Sequence, residues 1–419
     1  MVNRSVRCVE SSLKEDLFLK IECYETGFRG LEAIGRLNSS NFKVFEVSRI
    51  HGTAGEVYLP SEDFYRYPMY PPSSSYSSLH IYILKKKDLD TFQALRRVKR
   101  ITKAERVFYL GLKDKSAETF QFIALDKVGK FMPYYYSKDL ELYFVGLDSR
   151  RRFKRDILAG NCFLVDLSEI IEEPGGRAGE VLEILSTIKD IGFIPNYYSY
   201  QRFGLRRMIT HLVGRYIIRG DLERAMEKII CYPQDTCDTR EKCKEILESR
   251  HRWMWIEKII CRDLEREPIE RIFSKIPRRI NLLFVEAYLS YLFNSYLSKR
   301  WKLHGLSFHR LENEVECLNP LSGIKTPCIS IKLDKKGADL RSINKYIFYE
   351  VSEELQEKLR YEVIRKLTGL KRIVIKRSLV CPLSLIEVDG LKIKFCLDRG
   401  CYATNLLREL FKENISKIL

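Results

Sequence analysis

No apolar run in this chain reaches the ~18 residues that a membrane-spanning helix requires. The longest candidate, 280–293, is interrupted by Glu286 and reads as a buried helix. The first six residues, Met-Val-Asn-Arg-Ser-Val, lack the apolar core of a secretory signal. The expectation is a soluble cytoplasmic protein, extended to the nucleus in a eukaryotic host, with no membrane among its partners. Acids are scarce relative to bases: 56 Asp and Glu stand against 73 Lys and Arg, a net charge of +17. That excess favours a polyanionic partner, nucleic acid before an anionic membrane surface. Cys-x-x-Cys is absent, although the chain holds 12 cysteines. Cys231, Cys237 and Cys243 recur at intervals of six, and Cys396 and Cys401 form a similarly loose pair. Neither pattern is a usual zinc spacing, so nearly all of the cysteines read as reduced, small core residues, with a metal site among them the lesser alternative. No internal repeat is evident.

What is present is enough for two or three domains: 419 residues, 45% hydrophobic and 12% aromatic, a composition that excludes a disordered chain. Strand-like runs cover 42–47, 80–84, 107–110, 120–125, 140–147 and 160–165. A helix capped by Asp88 or Asp90 extends to about Thr102, with Phe92, Leu95, Val98 and Ile101 on one face. A second amphipathic helix covers 180–191 and stops at Gly192 and Pro195. From about 206 to 300 the spacing is helical, with starts at Asp221, Asp238 and Pro268. Residues 353–367 read as a further helix. Strands return at 373–375, 383–388 and 391–397, before a closing helix over 402–411. Two strand-rich ends around a helical middle predict one mixed domain interrupted by an inserted one, with a cleft between them suited to a ligand.

Two surface stretches fit RNA. Arg150, Arg151, Arg152, Lys154 and Arg155 form a run without acids, suited to phosphates or to a solvated turn. Between Gly55 and Ser78 lie Tyr58, Phe64, Tyr65, Tyr67, Tyr70 and Tyr76 among four prolines that rule out a helix. These rings can stack on bases or pin the loop to the domain.

The loop 111–121 reads Gly-Leu-Lys-Asp-Lys-Ser-Ala-Glu-Thr-Phe-Gln and joins two of the strands. Gly111 permits the tight turn. It carries one acid, Asp114, between Lys113 and Lys115. A lone carboxylate aimed by a rigid scaffold can do chemistry; the same spacing also fits a solvated turn.

Four segments together resemble the TruD family of pseudouridine synthases. They are the 111–121 loop, Gly160-Asn161-Cys162-Phe163, the run Pro195-Asn196-Tyr197-Tyr198-Ser199-Tyr200-Gln201-Arg202-Phe203-Gly204, and Gly400 to Glu409. Weaker likenesses at 41–47, 210–219 and 287–294 fall in the family's order, and seven segments in order argue against chance. Ser199 stands where the family commonly has Gly, Asn41 where it often has Asp, and the Tyr-rich insertion is longer than usual.

The resemblance implies an α+β fold: a catalytic domain on a long, largely antiparallel mixed sheet, interrupted by an inserted, mostly helical α/β domain. The corresponding boundaries are 1–195, 196–370 and 371–419. It implies isomerisation of uridine to pseudouridine in RNA, with uridine 13 of tRNA as the usual target, without metal or other cofactor and without an obligate protein partner. Asp114 is implied as the catalytic acid, with Phe42, Lys113, Asn161 and Phe163 around the base. Lys115, Arg150, Arg151, Arg152 and Arg202 are assigned to RNA, Arg202 equally to a carboxylate. Thr119 and Gln121 are assigned to holding the loop. Both Phe42 and Phe163 fit a plain core role as well. A catalytically silent RNA-binding protein on the same fold is the alternative, which an intact Asp114 motif disfavours. A nuclease lacks its second motif-linked acid.

Overall fold

The computed structural model describes residues 5–54, 78–149, 153–172, 174–344, 355 and 358–419. The Tyr-rich segment over 55–77 and the three arginines Arg150, Arg151 and Arg152 lie outside the described residues.

Seventeen strands follow one another along the described chain. The first nine are β1 (Val9–Glu10), β2 (Cys23–Tyr24), β3 (Phe42–Ser48), β4 (Gly52–Thr53), β5 (Leu79–Lys86), β6 (Arg106–Tyr109), β7 (Glu118–Asp126), β8 (Tyr134–Ser137) and β9 (Leu140–Asp148). The others are β10 (Leu158–Asp166), β11 (Phe193–Pro195), β12 (Val315–Leu318), β13 (Lys325–Asp334), β14 (Gly337–Asp339), β15 (Arg372–Ser378), β16 (Val380–Asp389) and β17 (Lys392–Asp398). Among the described residues eleven of them form one sheet, ordered β11-β16-β17-β10-β3-β7-β5-β9-β8, with β4 beside β3 and β6 beside β7. Every pairing in it is antiparallel except β3 with β7. A parallel pair needs a crossover, and here the chain passes through β5 and the helix Thr91–Thr102 before returning as β7. Asp90 caps that helix, accepting from the Phe92 and Gln93 amides at 2.9 and 3.2 Å. Its Leu95 and Val98 pack on Tyr82, Leu84 and Ile123 of the sheet.

Register decides which side chains share a face. Phe163 lies opposite Val44 and Asn161 opposite Glu46 on β10 and β3. Val44 lies beside Thr119, which faces Lys86, and Gln121 faces Leu84. Since side chains alternate along a strand, Phe42, Val44, Glu46, Lys86, Thr119, Gln121, Asn161 and Phe163 all occupy one face. One apolar cluster covers its β3 and β10 part, joining Phe42, Val44 and Phe163 to Tyr197 and Phe203, to Phe284, Leu292 and Phe293, and to Leu406, Leu407 and Phe411.

The helical middle is centred on Arg278–His304, 27 residues long and mostly buried. Asp221 and Asp238 cap two shorter helices, as their spacing predicts. The helix Thr210–Arg219 crosses the long helix so closely that a Cβ on Gly214 would lie 1.9 Å from the Phe284 carbonyl oxygen. The chain then returns: β16 and β17 rejoin the large sheet beside β10.

Three expectations need revision. The strand at 373–375 does not join the large sheet with the closing strands; β15 pairs with β13 from Cys328↔Ser378 to Asp334↔Arg372, in a separate four-stranded sheet. Its alternation of buried Ile373 and Ile375 with exposed neighbours specifies a one-faced strand but not which sheet receives it. The helix anticipated over 353–367 falls partly outside the described residues; among those described, Leu359 and Arg360 interrupt it and a helix runs Tyr361–Thr368. The cysteines are not reduced: all twelve pair, as 8–23, 162–396, 231–237, 243–261, 317–328 and 381–401. The partners meet through the fold. Cys162 and Cys396 are directly opposite in the β10–β17 register, and Cys243 and Cys261 join the helices Thr239–Glu248 and Trp255–Asp263. Spacing along the chain carries no trace of such pairs.

Candidate active site

The loop between β6 and β7 is held at consecutive residues. Thr91 Oγ1 donates to the Lys113 carbonyl at 3.1 Å and lies 3.3 Å from the Lys113 amide, which donates to it. Lys86 Nζ donates to the Asp114 carbonyl at 2.8 Å. Lys113 turns its ammonium inward to Glu46 Oε1 at 2.6 Å, and Glu46 Oε2 accepts from the Phe122 amide at 2.9 Å. Thr119 and Gln121 do not hold the loop: Thr119 Oγ1 and both amide atoms of Gln121 are buried without a hydrogen-bond partner. With its backbone fixed from below, the loop presents the Asp114 side chain to solvent. Among the described residues no side chain or amide hydrogen-bonds that carboxylate.

Lys86 is fully buried. Burial pushes its ammonium down from the ordinary 10.5 to about 8, against the opposing pull of Asp114, Asp90 and Asp88 and with a small push from Lys113. A cation of adjustable charge thus sits directly beneath the loop.

A cavity of about 380 Å³ opens in front of it. Of the residues singled out from sequence, it brings together Phe42, Lys113, Asp114, Lys115, Asn161, Phe163 and Gln201. The Phe163 ring lies between Phe42, stacked at 6.0 Å, and Phe395, stacked at 5.1 Å. Phe42 and Phe163 are therefore core residues and pocket walls at once, 8% and 7% exposed. Asn161 Oδ1 is buried and unpartnered beside them, an acceptor position left for whatever enters the cavity.

The opposite wall was not singled out residue by residue: Leu205, Tyr402, Thr404, Leu407 and Leu419. For Tyr402, Thr404 and Leu407 the signal was present only as the Gly400 to Glu409 resemblance; Leu205 and Leu419 lie outside every segment that carried it. Two hubs fix it. Arg377 donates from Nε to the Asn196 carbonyl at 2.9 Å and from Nη2 to Asn196 Oδ1 and the Tyr197 carbonyl at 2.6 and 3.1 Å. Its third nitrogen, Nη1, reaches the Gly400 carbonyl, joining 196–198 to the start of the closing helix. Asn294 of the long helix accepts from the Tyr198 amide and donates to its carbonyl, at 2.8 and 3.0 Å. Ser199, in the place of the commoner Gly, accepts from Thr404 Oγ1 at 2.6 Å. Arg202 does not line the cavity. Its guanidinium is held by Glu286 Oε2 at 2.9 Å and Ser290 Oγ at 3.1 Å, which makes it a brace between the 200–203 turn and the long helix. Cys401, bonded to Cys381, also lines the cavity, while the Cys162–Cys396 bond lies on the reverse face of the sheet.

Chains of known family share this fold and sequence. A protein from Methanopyrus kandleri carrying the name "Probable tRNA pseudouridine synthase D" is 30% identical over 351 residues, 79% of this chain and 84% of its own length. One of the same name from Pyrococcus abyssi is 27% identical over 417 residues, 87% of this chain and 98% of its own. A crystal structure of a TruD protein from Methanosarcina mazei superposes with a TM-score of 0.67, covering 97% of this chain and 99% of that one; at 23% identity it speaks for the fold. The model of the family tRNA pseudouridine synthase D (TruD) matches residues 18–321, and with these the chain belongs to the TruD family of tRNA pseudouridine synthases.

Proposed function

We propose that the chain isomerises uridine to pseudouridine in tRNA, at uridine 13, with Asp114 as the catalytic carboxylate. The names borne by its relatives supply tRNA and the reaction class; the resemblance of the loop supplies the aspartate and the position. The observation that carries the reading is the placement of Asp114 on a loop whose backbone is held by Lys86 and Thr91 and whose Lys113 side chain is held by Glu46, facing a cavity with phenylalanine walls and an unpartnered Asn161 Oδ1.

The reaction breaks the bond from ribose C1′ to uracil N1, turns the base and forms C1′–C5. The C5 proton departs and N1 gains one, so the composition is unchanged. A single carboxylate serves as nucleophile at C1′, or as base and electrostatic partner of a glycal-like intermediate. The uridine must leave its stack, at a cost of a few kcal/mol that contacts in the cavity offset. Phe42 and Phe163 supply apolar margins, Asn161 a hydrogen-bonding edge, and Lys115 and the arginines at 150–152 phosphate contacts.

Unmodified tRNA incubated with the protein should acquire pseudouridine at position 13. Asp114→Asn should abolish product and keep tRNA binding within a few-fold. An active Asp114→Asn protein would sink the assignment, and product at another uridine would reassign the target.

A further inference from the structure

Four of the six disulfide bonds join a buried cysteine to a partly exposed one: 8–23, 231–237, 317–328 and 381–401. The exposed members differ in what they face. Cys8 lines a surface groove with Trp301 and Lys302 that shares no residue with the pocket of Asp114. Cys401 lines that pocket itself, next to Tyr402 and Thr404. Its partner Cys381 is fully buried in β16, opposite Ile194 of β11. Among the described residues the pocket wall thus holds one half of one disulfide and no other cysteine.

This asymmetry matters because a thiolate cleaves a disulfide by attacking whichever sulfur it can reach. Buried Cys381 offers no approach; Cys401 is approached from the cavity. The backbone beside Cys401 has ties of its own. Its amide donates to the Asp398 carbonyl at 3.0 Å, and Arg377 holds the Gly400 carbonyl. The bond therefore adds little to the path of the chain and much to the side chain, which it keeps turned toward β16. Tyr402, the N-cap of the helix Ala403–Phe411, makes no side-chain cap bond, so the first turn of that wall relies on its neighbours.

We infer that the Cys381–Cys401 bond is a redox-sensitive site in the pocket wall, opened by a small dithiol that enters the cavity, and that bound tRNA closes this route. The inference rests on the reading of the pocket as the uridine site. The first thiolate of the reagent attacks Cys401 Sγ and forms a mixed disulfide, while the Cys381 sulfur leaves with the electron pair of the broken bond and takes up a proton. The second thiolate attacks the reagent's own sulfur in the mixed disulfide and releases Cys401, which takes up another proton. Two electrons and two protons pass to the protein, and the reagent leaves as a cyclic disulfide. The freed Cys401 side chain then turns into the cavity, and Tyr402 and Thr404 lose their covalent tie to β16.

The test treats the native protein with dithiothreitol, with and without saturating unmodified tRNA. Free thiols are blocked at intervals and mapped by peptide mass spectrometry, and pseudouridine formation is measured on parallel unblocked samples. Cys381 and Cys401 should appear as thiols while the circular dichroism spectrum stays native. Bound tRNA should slow their appearance and leave that of Cys8 and Cys23 unaffected. As the bond opens, kcat/KM should fall about ten-fold, and it should return when a small disulfide reoxidises the protein. The double variant Cys381→Ala, Cys401→Ala, compared with its own untreated rate, should be indifferent to the reagent. Opening only under conditions that also expose Cys162 and Cys396, no protection by tRNA, or an equal loss in the double variant would each overturn the inference. If the wild type forms no pseudouridine but tRNA still slows the opening at Cys401, the redox site stands and the reading of the reaction falls.

Discussion

Lys113 points away from Asp114 and into the sheet, where its ammonium meets Glu46 at 2.6 Å. The side chains are 6% and 0% exposed, so the pair is a buried one, and removing one member leaves a charge without compensation. Glu46→Gln keeps an acceptor for the Phe122 amide but loses the ion pair. It should cost about 3 kcal/mol of stability, read from urea unfolding, and lower kcat because the loop loses its inward anchor.

Lys86 separates stability from activity. Its ammonium is pushed down to about 8 by burial, so below that pH the folded chain carries a charge it would shed more readily than the unfolded one. Between about 8 and the ordinary 10.5 the unfolded chain binds more protons, and stability rises with pH across that window. Lys86→Met removes both the cost and the grip on the Asp114 carbonyl. At pH 7 its melting temperature should equal or exceed wild type while kcat falls ten-fold or more. The stability advantage of Met should shrink as pH climbs past 8. Wild-type kcat should show an alkaline limb near that pH, which Lys86→Met lacks.

Tyr402 offers a more open aromatic surface than the two phenylalanines. It is half-buried in the pocket wall, and Arg377 lies 5.1 Å from its ring centroid on the far hub. Tyr402→Ala should lower kcat/KM about ten-fold, and Tyr402→Phe should stay within two-fold, if the ring and not the hydroxyl meets the substrate. Steady-state kinetics on unmodified tRNA reads both.

The cysteines give a chemical count. Under denaturing conditions, thiol titration should find none without reductant and 12 with it. Reduction should lower the melting temperature. In the chain-entropy model the bond closing the 234-residue separation contributes on the order of 5 kcal/mol.

Much of the scaffold could be read in advance because its signals are local. The helix cap and the apolar run 280–293 each act within a few residues: of the two candidate caps Asp90 is the one used, and the buried helix is there, extended to Arg278–His304. The loop with Asp114 stood out for the same reason: one acid between two bases after a glycine. What escaped is non-local. β3 alternates as Phe42, Val44, Glu46 on one face, but Val47 is buried on the other, so alternation alone leaves the direction of Glu46 open. Only the crossing of β10 beside it and the loop above show that Glu46 faces inward. Lys86 closes β5, beyond the strand read over 80–84, and its burial depends on the loop folding over it. Tyr402 and Thr404 reach the pocket because Arg377, 25 residues before Tyr402, ties Gly400 to Asn196. Pairings that span the helical middle have no periodicity to betray them.

The bond between Cys162 and Cys396 joins two strands of the large sheet whose positions in sequence bracket the helical middle of the chain. A protease cut anywhere between them severs the polypeptide without parting its two pieces. The strand bearing Asn161 and Phe163 would stay tethered to the strand that returns after the helical middle. Limited digestion should therefore yield a species that migrates as one band until reductant is added and as two afterwards, and the helical middle can open or be nicked while the wall of the pocket remains a single covalent body.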